Sequence, residues 1–238
     1  MALPRVNETL NFSMKIPSTG ERVKYRPYLV KEEKVLLQAF ESGDLQTCLE
    51  AMVDTLDSCI DQKKKIDVAS LATFDIEYMF TQVRAKSVGE TSNILVKCKE
   101  CEEQNPYEVD LESVEVSIAD KERMVQITED IAVEMKYPTY ESLLSGDVEK
   151  LKDEDTDTAL QMIAGSIKTV YTEDEVIDCA SQPIEEMVEF VSSMTATQLQ
   201  SLSKFLEDMP AVRHEAKFVC EKCSAENSVE LKGLADFF

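Results

Sequence analysis

A chain of 238 residues with 43% hydrophobic and 30% charged side chains carries enough apolar material for one large folded domain or two small ones. Its formal charge of −22, from 47 acidic against 25 basic residues, repels phosphate backbones and argues against a general nucleic-acid binder. No apolar run reaches the roughly 18 residues of a membrane helix, and the opening Met1-Ala2-Leu3-Pro4-Arg5 lacks the apolar core of a secretory signal.

In chain order, residues 1–29 read as a hairpin. Asn11 to Ile16 and Arg22 to Tyr25 are short strand-like runs around the turn Pro17-Ser18-Thr19-Gly20, and Pro27 ends the second. A helical region follows. Lys31 to Phe40 forms a first helix, broken by Ser42-Gly43-Asp44. In the next, Leu45, Cys48, Leu49, Met52, Val53, Leu56 and Ile60 recur at three- and four-residue steps, the pattern of one buried face. Lys63, Lys64 and Lys65 stand past its end, where cations complement the helix dipole. The spacing predicts a third helix over Phe74–Lys86, capped by Thr73 and followed by Gly89.

From Ile94 the apolar period shortens to that of strands. Ile94-Leu95-Val96 and Tyr107 to Leu111 flank a tight knuckle, and strand-like pieces follow at Val114 to Ile118, Met124 to Ile127 and Ile131 to Met135. Helices return after the acidic stretch Asp153 to Asp157. Leu160, Ile163, Ala164 and Ile167 make one apolar stripe, and Thr172 with Glu175 reads as a capping-box pair for a short helix. Pro183 precedes another helical face at Ile184, Met187, Val188 and Val191. Thr195 with Gln198 is a second capping-box pair, leading Leu199, Leu202, Phe205 and Leu206 up to Pro210. The tail reads as strands at Ala216 to Val219 and Ser228 to Leu231.

The strongest chemical signal is a pair of matching segments. Val96-Lys97-Cys98-Lys99-Glu100-Cys101 continues to Asn105, and Phe218-Val219-Cys220-Glu221-Lys222-Cys223 continues to Asn227. Each is a strand, a CxxC, a polar turn ending at Asn, and a second strand. A two-residue gap lets both thiolates face one ion, and two such knuckles supply four sulfurs for a closed tetrahedral Zn2+ site. A chain kept in a cytosol holds its thiols reduced, which favours metal binding over disulfides. A redox CxxC would sit between a strand and a helix, not between two strands. Cys98, Cys101, Cys220 and Cys223 are therefore the expected ligands of a structural zinc. Four thiolates leave no open position for substrate. The fold expected is α+β: a helical N-terminal region over 1–90, a split zinc-ribbon-like pair of β-knuckles at 91–111 and 214–238, and a long mixed α/β insertion over 112–213.

The remaining candidates are weaker. His214, the single histidine, lies six residues before Cys220 and reads as a surface residue, and with no second histidine or motif around it no nucleophile-and-base set emerges. Cys48, Cys59 and Cys179 read as small buried hydrophobes. Asp153, Asp155 and Asp157 lack the Gly and Glu that a calcium loop requires, since Thr158 and Ala164 occupy those places.

Several stretches together carry a resemblance: Ile16-Pro17-Ser18-Thr19-Gly20 with Tyr25 to Lys34, Thr73-Phe74-Asp75-Ile76-Glu77-Tyr78, Arg84 to Glu90, and the two knuckles. The arrangement resembles the baseplate hub family of T-even-like contractile-tailed phages, in particular its hub assembly members, most clearly over residues 14–111 and 180–238. The resemblance implies a non-enzymatic role as either a structural component or an assembly factor of the baseplate hub, placed in the host cytoplasm during viral tail assembly and, for a component, in the virion tail baseplate. The implied partners are other baseplate hub or tail proteins, the tape measure protein among them. It brings no catalytic residues. Aromatic candidates for partner anchors are Tyr25, Tyr28, Phe74, Tyr78, Phe237 and Phe238, with core packing as the alternative for each. The competing function is a zinc-ribbon nucleic-acid-binding regulator, with Lys97, Lys99, Lys217 and Lys222 around the knuckles as phosphate contacts and Glu100, Glu102, Glu103 and Glu221 interleaved against it.

Overall fold

A computed structural model describes residues 12–61, 66–116, 123–144 and 156–237. It shows an α+β chain with seven α-helices and several small antiparallel sheets among the described residues. Asn11, Lys63 to Lys65, Ser117, Ile118, Asp153, Asp155 and Phe238, named above, lie outside them. The chain divides into two compact units, 1–118 with 210–238, and 119–209. The N-terminal helices and the knuckles, expected as separate modules, fall in one unit, because the third helix and both knuckle hairpins share a core.

In the first unit, β1 (Phe12–Lys15) pairs with β2 (Arg22–Tyr25). The intervening turn is tethered: the Ser18 backbone N–H and hydroxyl donate to the Asp75 carboxylate at 2.8 and 2.5 Å. α1 (Val30–Ser42) begins where Glu32 Oε2 accepts the Leu29 N–H at 2.8 Å, and it ends at Gly43, whose φ of 70° is the left-handed value that glycine tolerates. Asp44 caps α2 (Leu45–Cys59) by accepting the Thr47 N–H at 3.2 Å. The end of α2 is sewn to the hairpin by an Arg26 N–H to Cys59 carbonyl bond of 3.0 Å and an Asp61 N–H to Lys24 carbonyl bond of 2.9 Å. α3 (Thr73–Ser87) differs from expectation at its start. Ala72 is the cap residue and Thr73 the first helical residue, with no side-chain cap. Asp75 in the first turn complements the helix dipole instead.

β3 (Thr91–Lys97) pairs with β4 (Gln104–Asp110), from Thr91 opposite Asp110 to Lys97 opposite Gln104. β5 (Glu115–Val116), β10 (Val212–Val219) and β11 (Glu226–Lys232) form a second sheet in the order β11-β10-β5. There Arg213 faces Lys232 and Val219 faces Glu226. The shift in residue number that carries Cys98 onto Cys220 carries every pair of the first hairpin onto a pair of the second. Ala85 of α3 packs with Val96, Val109, Leu111, Val114, Val212, Ala216, Leu231 and Phe237, so one core joins the helix to both hairpins.

The second unit carries the four-stranded meander β6 (Met124–Gln126), β7 (Ala132–Met135), β8 (Ile167–Tyr171) and β9 (Val176–Asp178). It also carries α4 (Tyr140–Leu144), α5 (Thr156–Gly165), α6 (Ile184–Ser192) and α7 (Ala196–Glu207). Its core centres on Val133, Met135, Ile167, Val191 and Leu202. The Thr195–Gln198 capping box is present. The helix expected after Thr172 is absent. Thr172 and Glu175 close the turn between β8 and β9, with the Thr172 N–H on the Glu175 carbonyl at 2.9 Å and the Glu175 N–H on Thr172 Oγ1 at 3.0 Å. The same Thr side-chain bond serves a helix cap or a turn, and pairing of Val170 with Ile177 decides for the turn. Ile167 likewise leaves the helical stripe and opens β8.

Candidate metal centre

Each CxxC sits at the tip of its hairpin, and the two tips build the same loop. The Cys98 N–H donates to the Glu103 carbonyl at 2.9 Å and the Glu102 N–H returns to the Cys98 carbonyl at 3.0 Å. In the other knuckle the Cys220 N–H donates to the Ala225 carbonyl at 2.9 Å and the Ser224 N–H to the Cys220 carbonyl at 2.9 Å. Glu102 and Ser224, each just past the second cysteine, adopt φ of 57° and 59° and are the positive-φ residues other than glycine among those described. This left-handed residue bends the chain back toward the second strand and closes the loop around the CxxC.

The knuckles meet sulfur to sulfur. Cys98 Sγ lies 3.6 Å from Cys223 Sγ, and Cys101 Sγ lies 3.7 Å from Cys220 Sγ. All four sulfurs fall within 4.8 Å of one another. A tetrahedron with metal–sulfur bonds of about 2.3 Å has sulfur–sulfur edges of about 3.8 Å, so the cluster has the size of a four-thiolate metal site. A disulfide requires about 2.05 Å, and all four thiols are free. Backbone N–H groups of Cys101 and Glu100 aim at the Cys98 sulfur and lower its pKa. Those of Cys223 and Lys222, with the neighbouring sulfurs, bring Cys220 down to about 6. Cys101 also receives an N–H, from Glu103, but burial and the three crowding sulfurs push it up to about 12. Four thiols this close cannot all ionise by themselves. A bound dication removes that conflict, and the donor set suits a soft or borderline metal.

Two side chains with no chemistry assigned from the sequence complete the cluster. Asn105 is 2% exposed and Asn227 is 7% exposed. Asn105 Nδ2 donates toward Cys220 Sγ at 3.7 Å, and its Oδ1 accepts the Glu221 N–H at 2.9 Å. Asn227 Nδ2 donates toward Cys98 Sγ at 3.4 Å, and its Oδ1 accepts the Lys99 N–H at 2.9 Å. The sequence does show the signal for them, an Asn at the matching place in each repeat, but not that each reaches across to the other knuckle.

A family model described as T4 bacteriophage base plate protein matches residues 8–238. The chain belongs to this T4-like phage baseplate family. Searches of curated proteins and of solved structures returned no match. For a baseplate protein the expected partners are other phage tail proteins and the expected place is the virion tail. No described helix is long and apolar enough to cross a membrane.

The other candidates separate by burial. Tyr25, Tyr28, Phe74 and Phe237 are 3%, 9%, 2% and 0% exposed, so these baseplate-protein side chains pack inside the fold, as the core-packing alternative has it. Tyr78 is half-buried against the core beside α3. His214 is half-buried and bonds Tyr107 Oη at 3.2 Å, away from the sulfurs. Cys59 and Cys179 are buried, and Cys48 is half-buried with its thiol 3.2 Å from the Ala39 carbonyl. Lys222 pairs with Glu103, and Lys217 with Glu215 at 2.9 Å.

Proposed function

We propose that this baseplate protein is a non-enzymatic component or assembly factor of the baseplate hub, and that it works by docking on a scaffold stapled by Zn2+. The observation that carries the reading is the four-sulfur cluster between hairpins more than a hundred residues apart in sequence. A closed site of four thiolates favours zinc held for structure, because it offers no coordination position to a substrate or a reactive water. Hub or tape measure partners would dock on the scaffold so formed. Assembly takes place in the host cytoplasm, where thiols stay reduced.

The competing reading, a zinc-ribbon regulator that binds nucleic acid, is disfavoured by the chain's charge of −22 and by the carboxylates that hold Lys217 and Lys222. Metal analysis of the native protein, followed by mass spectrometry of purified particles and of lysate pull-downs from an infected culture, tests the proposal. One zinc per chain together with co-purifying hub proteins is expected. Presence in particles identifies a component, and presence only in intermediates identifies an assembly factor. Metal-free native protein, or salt-sensitive nucleic-acid capture without tail proteins, overturns the reading.

A further inference from the structure

We propose that Asn105 and Asn227 are reciprocal positioning residues, each holding the first cysteine of the opposite knuckle in the geometry that captures the metal. The inference rests on the zinc reading and adds to it a device that joins the two half-sites into one.

The argument begins with what a carboxamide can do. It offers one acceptor oxygen and two donor N–H bonds at fixed angles. Asn105 uses all three. Its Oδ1 faces the Glu221 N–H, a group that can only donate, so the nitrogen is the atom left to face the Cys220 sulfur. The second N–H donates to the Glu103 carbonyl of its own knuckle at 2.9 Å. Asn227 repeats the set with partners exchanged: Lys99 N–H to Oδ1, Nδ2 toward Cys98 Sγ, and the other N–H on the Ala225 carbonyl at 2.9 Å. Each amide is pinned to its own loop and clamps the first cysteine of the other loop by its sulfur and by the next backbone N–H.

Two consequences follow from this exchange. A thiolate that accepts an N–H bond carries less unshared charge, which helps four of them crowd one cation. Within a knuckle the first sulfur meets backbone N–H groups of its own loop, and the side-chain amide that completes its hydrogen bonding arrives on the other hairpin. Full orientation of either first sulfur therefore requires the hairpins to be docked, and the shared core around Val96, Ala216 and Phe237 supplies that docking.

The test uses the full chain, with Co2+ as a spectroscopic probe and Zn2+ in competition, under reducing conditions. Asn105→Asp and Asn227→Asp keep the shape and the acceptor oxygen but replace the N–H facing sulfur by a carboxylate oxygen. Each is expected to weaken metal binding by about 10- to 100-fold. Each should also shift the sulfur-to-cobalt charge-transfer band, which a purely structural loss would leave in place. The double variant should fall short of the product of the two single effects, because the amides act on one network. Variants that bind within about twofold of wild type with an unshifted band overturn the proposal while leaving the zinc reading intact. A wild-type chain with no tetrahedral four-sulfur cobalt spectrum overturns the zinc reading itself. If the Asp variants do not fold, the wild type decides: the Nδ2 protons of both residues should exchange slowly with solvent in the metal-loaded protein, and free exchange refutes the proposal.

Discussion

Replacement of Phe237 by alanine separates packing from partner contact. The ring is fully buried within the core that joins α3 to both knuckle hairpins. The surrounding chain is held independently of the ring: Ser92 Oγ donates to the Phe237 carbonyl at 2.7 Å, and the Lys232 N–H donates to Asp236 Oδ2 at 2.7 Å. These bonds survive the substitution, so the tail stays in place over a cavity. Removing roughly 150 Å² of buried apolar surface, at about 25 cal/mol per Å², costs about 4 kcal/mol, within the usual range for such truncations. Hydrogen exchange read by mass spectrometry at pH 7 measures it in place. Amides of β10 and β11 that open by unfolding of the first unit should exchange about a thousandfold faster, while β7 and β8, in a unit with its own core, stay unchanged. An acceleration below about fivefold refutes the packing argument. A variant of unchanged stability that fails to enter tails would restore Phe237 as a partner anchor.

Three further outcomes are expected. Arg26→Ala removes one of the two cations that pair with Glu32, at 2.9 Å with both residues 8% exposed, and also the bond to the Ser58 carbonyl, while Lys31 stays on the same carboxylate oxygen at 3.2 Å. Losing a charge-assisted hydrogen bond there should cost about 1.5–3 kcal/mol in urea unfolding, and a loss under about 0.5 kcal/mol, what a solvated surface pair contributes, would show the pair to be solvated. Burial raises the Glu77 carboxyl from 4.5 to about 7 against the Leu234 N–H, so the folded state favours its neutral form. The stability this group lends is full below about 4.5 and is lost as pH rises through 7. Glu77→Gln should therefore raise the urea midpoint at pH 8 and leave it unchanged at pH 4.5, and an equal shift at both values contradicts the assignment. Stripping metal with a strong chelator from protein held at a thousandfold excess of free zinc over its dissociation constant removes about 4 kcal/mol. Calorimetry should show the transition of the 1–118/210–238 unit falling and that of 119–209 unmoved, with recovery on adding zinc.

The sequence is most legible where one local rule governs. The apolar spacing of α2, the Thr195–Gln198 box and the paired CxxC segments each encode their structure within a few residues. It is misread where a local signal has two structural uses. The Thr172 hydroxyl accepts the Glu175 N–H as it would in a helix cap, but the Thr172 N–H goes to the Glu175 carbonyl, and the β-pairing of the residues on either side makes them a turn. Aromatic side chains are ambiguous for a related reason: Tyr25 and Phe237 have the chemistry of interface anchors and of core residues alike, and only long-range packing distinguishes the two. The amide bridges at the metal centre are hidden in the same way. The matching asparagines are visible in the repeat, but their partners lie on the opposite hairpin.

The segments that carry the family resemblance are, in the structure, largely tethers. Ser18 of the Pro17-Ser18-Thr19-Gly20 turn hooks the Asp75 carboxylate in the first turn of α3. Arg26 binds Glu32 beneath the start of α1. The Tyr28 N–H donates to Ser87 Oγ at the far end of α3 at 2.9 Å, while that hydroxyl donates to the Val83 carbonyl. The hairpin is thus pinned at both ends of one helix, and that helix packs on the hairpins that bring the four sulfurs together. A signature made of such links specifies a stiff frame. Stiffness suits the proposed docking role because a preformed surface pays less ordering entropy on association. Cutting one tether, as in Ser18→Ala, should then loosen the hairpin without disturbing the sulfur cluster, whereas cutting a knuckle amide should do the reverse.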